Sequence, residues 1–225
     1  MNLETLTIST EKSKIADYSV SSERRRLLYN GIYINNKRMV KGNFKLKDIL
    51  IFDLPAVKSC LNCSSCAKTC YAKKAQEQYP NVMIFRDTNF YIYANDKDLL
   101  KKLIVLQLSE AKEKTVRLHS SGDFFSQSYI NFWSEIISMF PNINFYTYTK
   151  VEEIFNFSDI EKNNNFNLIP SFIDGKLNYG SLSYVKEMKA KYGSYICPAT
   201  LKDGVKCGRD CNYCVSGKNV VFVEH

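Results

Sequence analysis

No stretch of this sequence approaches eighteen consecutive apolar residues, so no transmembrane helix is expected and a membrane partner is excluded. The first ten residues, MNLETLTIST, lack the basic-then-apolar pattern of a secretory signal. A cytoplasmic location follows. Internal repeats and low-complexity tracts are also missing, and the chain reads as a single domain. Histidine is scarce: His119 and the terminal His225 are the only two. No cysteine lies outside two short groups.

What is present is an ordinary globular composition with two unusual features. Of 225 residues, 45% are hydrophobic and 24% charged, and the aromatics are plentiful enough to make extensive disorder unlikely as an expectation. The first unusual feature is a net charge of +8, which favours an anionic partner such as nucleic acid. Arg24, Arg25 and Arg26, in SSERRR, would contact phosphates in that case, or else end a solvated helix. The second is eight cysteines. In a reducing cytosol these point to metal binding or catalysis rather than to four disulfides.

The chain divides into N-terminal strands (1–57), a cysteine loop and helix (58–80), an α/β core (82–192) and a C-terminal cysteine segment (193–225). LTIS is a possible edge strand. LLYNGIYINN and KGNFKLKDILIFDLP read as hairpin-like strands, with turn signals at Asn35-Asn36 and Gly42. Good helix formers run from Ala67 to Gln78, and Tyr79-Pro80-Asn81 stops them. A second helix is expected from Val82 to about Tyr93, and a third after an N-cap at Asp96. TVRLH (115–119) reads as a strand, YINFWSEIISMF (129–140) as a helix and INFYTYTK (143–150) as a strand. That order makes a βαβ unit with parallel pairing. Residues 151–156 open another helix, FNLIPSFI (166–173) a further strand, and SLSYVKEMKAKY a helix ended by Gly193. NVVFVEH is a terminal strand.

The first cysteine group is Cys60, Cys63, Cys66 and Cys70, spaced C-x2-C-x2-C-x3-C. This is the spacing of the bacterial ferredoxin run, with Tyr71 where its proline would stand. The second is Cys197, Cys207, Cys211 and Cys214, spaced C-x9-C-x3-C-x2-C. Short spacers suit a [4Fe–4S] cluster, one or two in number, better than a single zinc, which remains the alternative. Either metal would tie the two ends of the chain together. In two-cluster ferredoxins the fourth cysteine of the run serves the other cluster, which makes Cys70 the candidate to reach across.

His119-Ser120-Ser121-Gly122-Asp123 falls at the carboxyl end of a predicted parallel strand, the edge where α/β folds bind ligands. His119, Ser121, Gly122 and Asp123 are candidate ligand-binding or catalytic residues. Lys150, ending the next strand, would meet an anionic group there. The other readings are a hydrogen-bonded core histidine, a helix-capping aspartate and a solvated lysine. Phe145, Tyr146 and Tyr148 read as packing residues rather than a base-stacking platform.

FDLPAVKSC, CAKTCYAKK, VRLHSSGDF, FYTYTK and KCGRDCNYC, over about residues 50 to 215, together resemble the phage and plasmid "gene product eighty-eight" family. The resemblance implies a mobile-element protein working in a bacterial host cell. It carries over Cys60, Cys66, Cys70, His119, Ser121, Gly122 and Asp123 as motif positions, with Cys63 an addition to the pattern. CGRDCNYC also resembles the cluster motif of radical SAM enzymes, and the 115–150 segment resembles βα steps of their barrels, with SGDF as counterpart of the turn that contacts the methionyl amine. Lys73 stands where a third cysteine of an N-terminal motif would be. The expected fold is therefore α/β, a partial (β/α) barrel-like parallel sheet, radical-SAM-like, with cysteine-rich metal-binding segments at both ends. The expected function is an iron–sulfur protein, in its enzyme form binding S-adenosylmethionine or a similar small molecule. The alternatives are a zinc-stapled nucleic-acid-binding or anti-defence protein, and a protein that acts by binding a host protein.

Overall fold

The computed structural model describes residues 37–63, 66–173 and 175–223, together with the backbone of three short strands ahead of them. Those three, β1 (Ser13–Lys14), β2 (Arg26–Tyr29) and β3 (Ile32–Asn35), pair antiparallel in the order β1-β2-β3. The LTIS segment, the Asn36 turn position, Arg24, Arg25 and His225 lie outside the described residues.

The central sheet has five strands in the order β4-β5-β6-β7-β8. β4 (Val40–Lys41) runs antiparallel to β5 (Leu50–Phe52), and the turn between them is tightened by a single 3-10 turn at Phe44–Leu46. β6 (Thr115–Leu118), β7 (Asn144–Thr149) and β8 (Phe166–Pro170) follow, each parallel to the one before. Strands that add in chain order through right-handed crossovers place every connecting helix on the same face. The core shows this for all of them but the first. Phe52, Val116, Leu118 and Phe145 from the strands are buried in one cluster with residues of all the crossover helices but the first. Those helices are α1 (Tyr71–Gln78), α2 (Pro80–Asn95), α3 (Lys97–Ser109), α4 (Gln127–Ser138) and α5 (Ser158–Glu161). Trp133 of α4 is fully buried and meets Phe52 edge-on at 5.0 Å.

Helix boundaries follow local chemistry. Asp96 caps α3 as its sequence suggests, accepting from Leu99 N–H at 2.9 Å. The first helix starts at Tyr71 rather than Ala67, because the preceding residues turn back on the cysteine loop, with Ala67 N–H donating to the Cys63 carbonyl. α1 ends at Gln78, as the Tyr79-Pro80-Asn81 stop implies, and Pro80 then opens α2 at a first-turn position, where its missing N–H costs nothing. Residues 151–156 form turns, and the helix there is delayed to α5.

The other face of the sheet is covered by the C-terminal part of the chain. Tyr146 and Ile169 pack there with Ile49, Tyr148, Cys207, Cys214 and Val215. Beyond β8 come a small hairpin, β9 (Phe172–Ile173) with β10 (Lys176–Leu177), then β11 (Tyr179–Gly180). α6 (Leu182–Tyr192) leads to β12 (Tyr195–Ile196), and both β11 and β12 pair parallel with β13 (Val220–Val223). Gly193 ends α6 in the left-handed conformation, φ 66, as its position in the sequence implies. Among the described residues, no helix is long and apolar enough to cross a membrane.

Candidate functional site

Three strand ends and the loops after them build one rim. The chain leaves β5 into Asp53, β6 into His119 and β7 into Lys150. Asp53 is buried and pairs with the equally buried Arg86 of α2 at 2.9 Å. Its carboxylate also accepts from Ser120 Oγ at 2.8 Å and from Ser121 N–H at 2.9 Å. The helix layer thereby fixes the turn that follows β6.

Within that turn, Gly122 has φ +85, and a Cβ there would lie 2.5 Å from Ser59 Oγ and 2.7 Å from Leu54 Cβ. Only glycine lets the turn press this closely on the strand-to-cysteine loop. Asp123 is buried. Its Oδ1 accepts from Thr149 Oγ1 at 2.7 Å and from Phe124 N–H at 2.8 Å, and its Oδ2 from Lys150 N–H at 2.9 Å. It ties the ends of β6 and β7 rather than capping α4, a role taken by Ser126. Burial pushes its carboxyl up to about 6, against the pull of those three donors.

His119 is buried in a left-handed conformation, φ 60. Its Nε2 lies 2.9 Å from Tyr129 Oη, and its ring meets Phe124 edge-on. Burial, reinforced by the Arg117 charge, lowers its pKa to about 3, so the ring is neutral. Lys150 donates its N–H to Asp123, and its carbonyl accepts from Asn62 Nδ2 at 3.0 Å.

These residues line a cavity of about 780 Å³ between the strand ends, the first cysteine loop and the C-terminal segment. Six cysteines share its wall: Cys60, Cys66 and Cys70 from one end of the chain, Cys197, Cys207 and Cys214 from the other. His119, Ser121, Gly122, Asp123 and Lys150 also face it. Cys211 is tied to Cys207 by a short parallel bridge, with Gly208 N–H donating to the Cys211 carbonyl. Cys63 stands at the first loop, its thiol 4.0 Å from the Val57 carbonyl. All eight thiols are free. Burial pushes Cys60 and Cys214 up to about 11 and raises Cys197 and Cys207. Such thiols are poor nucleophiles at neutral pH. Among the described residues, no three His, Cys, Asp or Glu side chains are gathered as a site for a single metal ion.

Residue patterns left three contributors unremarked. Asp53 and Arg86 are buried partners from distant segments, and no local signal joins them. Arg117 had a signal: it takes the polar place in an apolar alternation, between Val116 and Leu118. It therefore emerges on the cavity face, its guanidinium 5.6 Å from the Tyr148 ring centroid. Burial opposes its charge, but Tyr71, Tyr146, Tyr148 and Asp53 outweigh that and hold its pKa above the ordinary arginine value. Tyr148 reaches Cys214 Sγ with its hydroxyl at 2.7 Å. The arginines of SSERRR contribute nothing to this picture, since Arg24 and Arg25 lie outside the described residues and only the backbone of Arg26 is described.

Fold and site define an α/β protein with a cysteine-walled cavity at the carboxyl edge of a mostly parallel sheet. The chain belongs to the gene product 88 family, whose family model matches residues 26–218. It is 27% identical over 190 residues to the Gene 88 protein of Mycobacterium phage D29, covering 70% of this chain and 78% of that protein. The Gene 88 protein of Mycobacterium phage L5 is 27% identical over 189 residues, with the same shares covered. No solved structure matches the chain. The motif resemblance to this phage family is borne out, whereas none of these comparisons supports the likeness to radical SAM enzymes.

Proposed function

We propose that the cavity holds an iron–sulfur cluster and beside it a small-molecule ligand. The observation that carries this reading is that six cysteines, three from each cysteine group, line one cavity of about 780 Å³, although no three of them are gathered around a single point. Thiolates are the donors that iron–sulfur centres take, and the cavity is far larger than one ion requires. The surroundings suit an anionic centre. Arg117 supplies positive charge at the wall, and Tyr148 offers a hydroxyl to Cys214 sulfur. Hydrogen bonds to sulfur and nearby charge tune such clusters. A bound metal would displace the protons that burial keeps on these thiols, so loading should release protons.

A cluster would supply electrons. The chain's own residues would do the rest: the Asp123 and Asp53 networks hold the strand ends rigid, and the polar rim orients the ligand. The in-order parallel strands β5 to β8, with α2 to α5 packed on one face, are compatible with a barrel-like core, and S-adenosylmethionine is the small ligand the motif resemblance suggests.

Anaerobic purification with iron and acid-labile sulfide analysis tests the reading. The expected result is a brown protein with iron and sulfide in comparable amounts, whose absorption and paramagnetic resonance respond to S-adenosylmethionine. Cys70→Ser and Cys214→Ser should each lower the iron content. A colourless protein with stoichiometric zinc would sink it.

A further inference from the structure

Arg117 occupies an unusual position. Val116 and Leu118 on either side are fully buried in the helix-side core, so its side chain passes to the other face of the sheet and lines the cavity. There its Nε is buried and has no hydrogen-bond partner among the described residues. Two buried carboxylates after the strand ends, Asp123 and Asp53, are engaged elsewhere. Asp123 is held by Phe124, Thr149 and Lys150, and Asp53 by Arg86, Ser120 and Ser121. A guanidinium on a cavity wall with a buried donor left open is costly unless an acceptor arrives from outside the chain. Lys74 and Lys150 add positive charge to the same wall, and Tyr146, Tyr148 and Phe222 give it flat apolar surface.

We propose that the cavity takes a small organic anion, a carboxylate or phosphate monoester carried on a flat apolar body, and that Arg117 is the residue that binds its charged end. The planar fork of arginine matches both groups with two parallel N–H donors, which a lysine in the same place would not. The aromatic wall would take the body of the molecule. This inference rests on the cavity being a ligand site, as proposed above, but not on any metal in it. The rival role for Arg117 is to balance the charge of the second cysteine group, since its charge favours the thiolate forms of Cys207 and Cys214.

The protein, purified anaerobically, is titrated with benzoate, phenyl phosphate and neutral benzamide, and binding is followed by ligand-observed nuclear magnetic resonance. At least one anion is expected to bind while benzamide does not, and the better anion tells carboxylate from phosphate. Arg117→Gln should weaken anion binding by about tenfold to a hundredfold, and Arg117→Lys by less, since it keeps the charge but not the fork. Benzamide binding as well as the anions, neither anion binding the wild-type protein, or undiminished anion binding in Arg117→Gln would each overturn the proposal. Thermal melting checks that the variants fold. If Arg117→Gln does not, the charged-against-neutral comparison on the wild type and the Arg117→Lys titration still decide. Iron and sulfide are measured on the same samples. A metal-free chain that binds the anion upholds this inference while sinking the cluster, and a cluster-bearing chain that binds neither anion does the reverse.

Discussion

At the scale of single residues, the turn after β6 shows how a motif that looks catalytic also carries structure. His119 and Asp123 both titrate abnormally, and in opposite senses. Burial raises the Asp123 carboxyl to about 6, so its contribution to stability is complete below about pH 4 and is lost as the pH rises through about 6. Burial lowers His119 to about 3, so its contribution is complete above about pH 6.5 and is lost as the pH falls toward 3. The two slopes oppose each other between about pH 4 and pH 6. Asp123→Asn removes one of them. The variant is expected to gain stability relative to the wild type as the pH rises across that window, as measured by urea unfolding at both ends. A difference that does not change with pH would show that Asp123 is not a titrating group there. Gly122→Ala meets both a left-handed backbone and a 2.5 Å contact with Ser59 Oγ. Gly204→Ala has the same φ of +85 and open space around it. The first change should therefore cost about 2–4 kcal/mol and the second only about 1–2 kcal/mol. Thermal denaturation of the two variants side by side checks the ordering.

At the scale of elements, the helix layer controls the site through one ion pair. Arg86 of α2 and Asp53 after β5 are both buried, and Asp53 also holds the Ser120-Ser121 turn. Arg86→Met leaves that carboxylate uncompensated, so a loss of about 3–5 kcal/mol is expected in chemical denaturation. A loss below about 1 kcal/mol would mean that the serines alone satisfy Asp53. The cap of α3 gives a smaller and cleaner case. Asp96→Ala removes the acceptor for Leu99 N–H and should cost about 1 kcal/mol. Arg117 belongs to this scale too. Its neighbours in β6 face the helices, and the alternation of a strand alone sends its charge to the cavity.

For the whole molecule, the two cysteine segments line one cavity, and this has a measurable consequence. If a metal centre ties them, chelation under anaerobic conditions should lower the melting temperature and expose both cysteine segments to thiol labelling together. Labelling of the first group alone would show that the segments open independently. The βαβ unit, the cap at Asp96, the Gly193 stop and the family motifs were all legible in the sequence. Each depends on residues within one or two turns or strands of each other, where spacing and backbone chemistry decide. The stop after Gln78 was legible too, but the start of α1 was not, because how the cysteine loop folds back set it. The site divides along the same line. The sequence alone determined that eight cysteines fall into two groups, that His119 to Asp123 end a parallel strand, and that Gly122 is the flexible point between them. Only the tertiary structure decided that both groups face one cavity, that Asp53 and Arg86 pair beneath its rim, and that Arg117 reaches it with an open donor. Those facts depend on contacts between residues dozens to more than a hundred positions apart, and such contacts are set by how the layers pack, not by any local pattern.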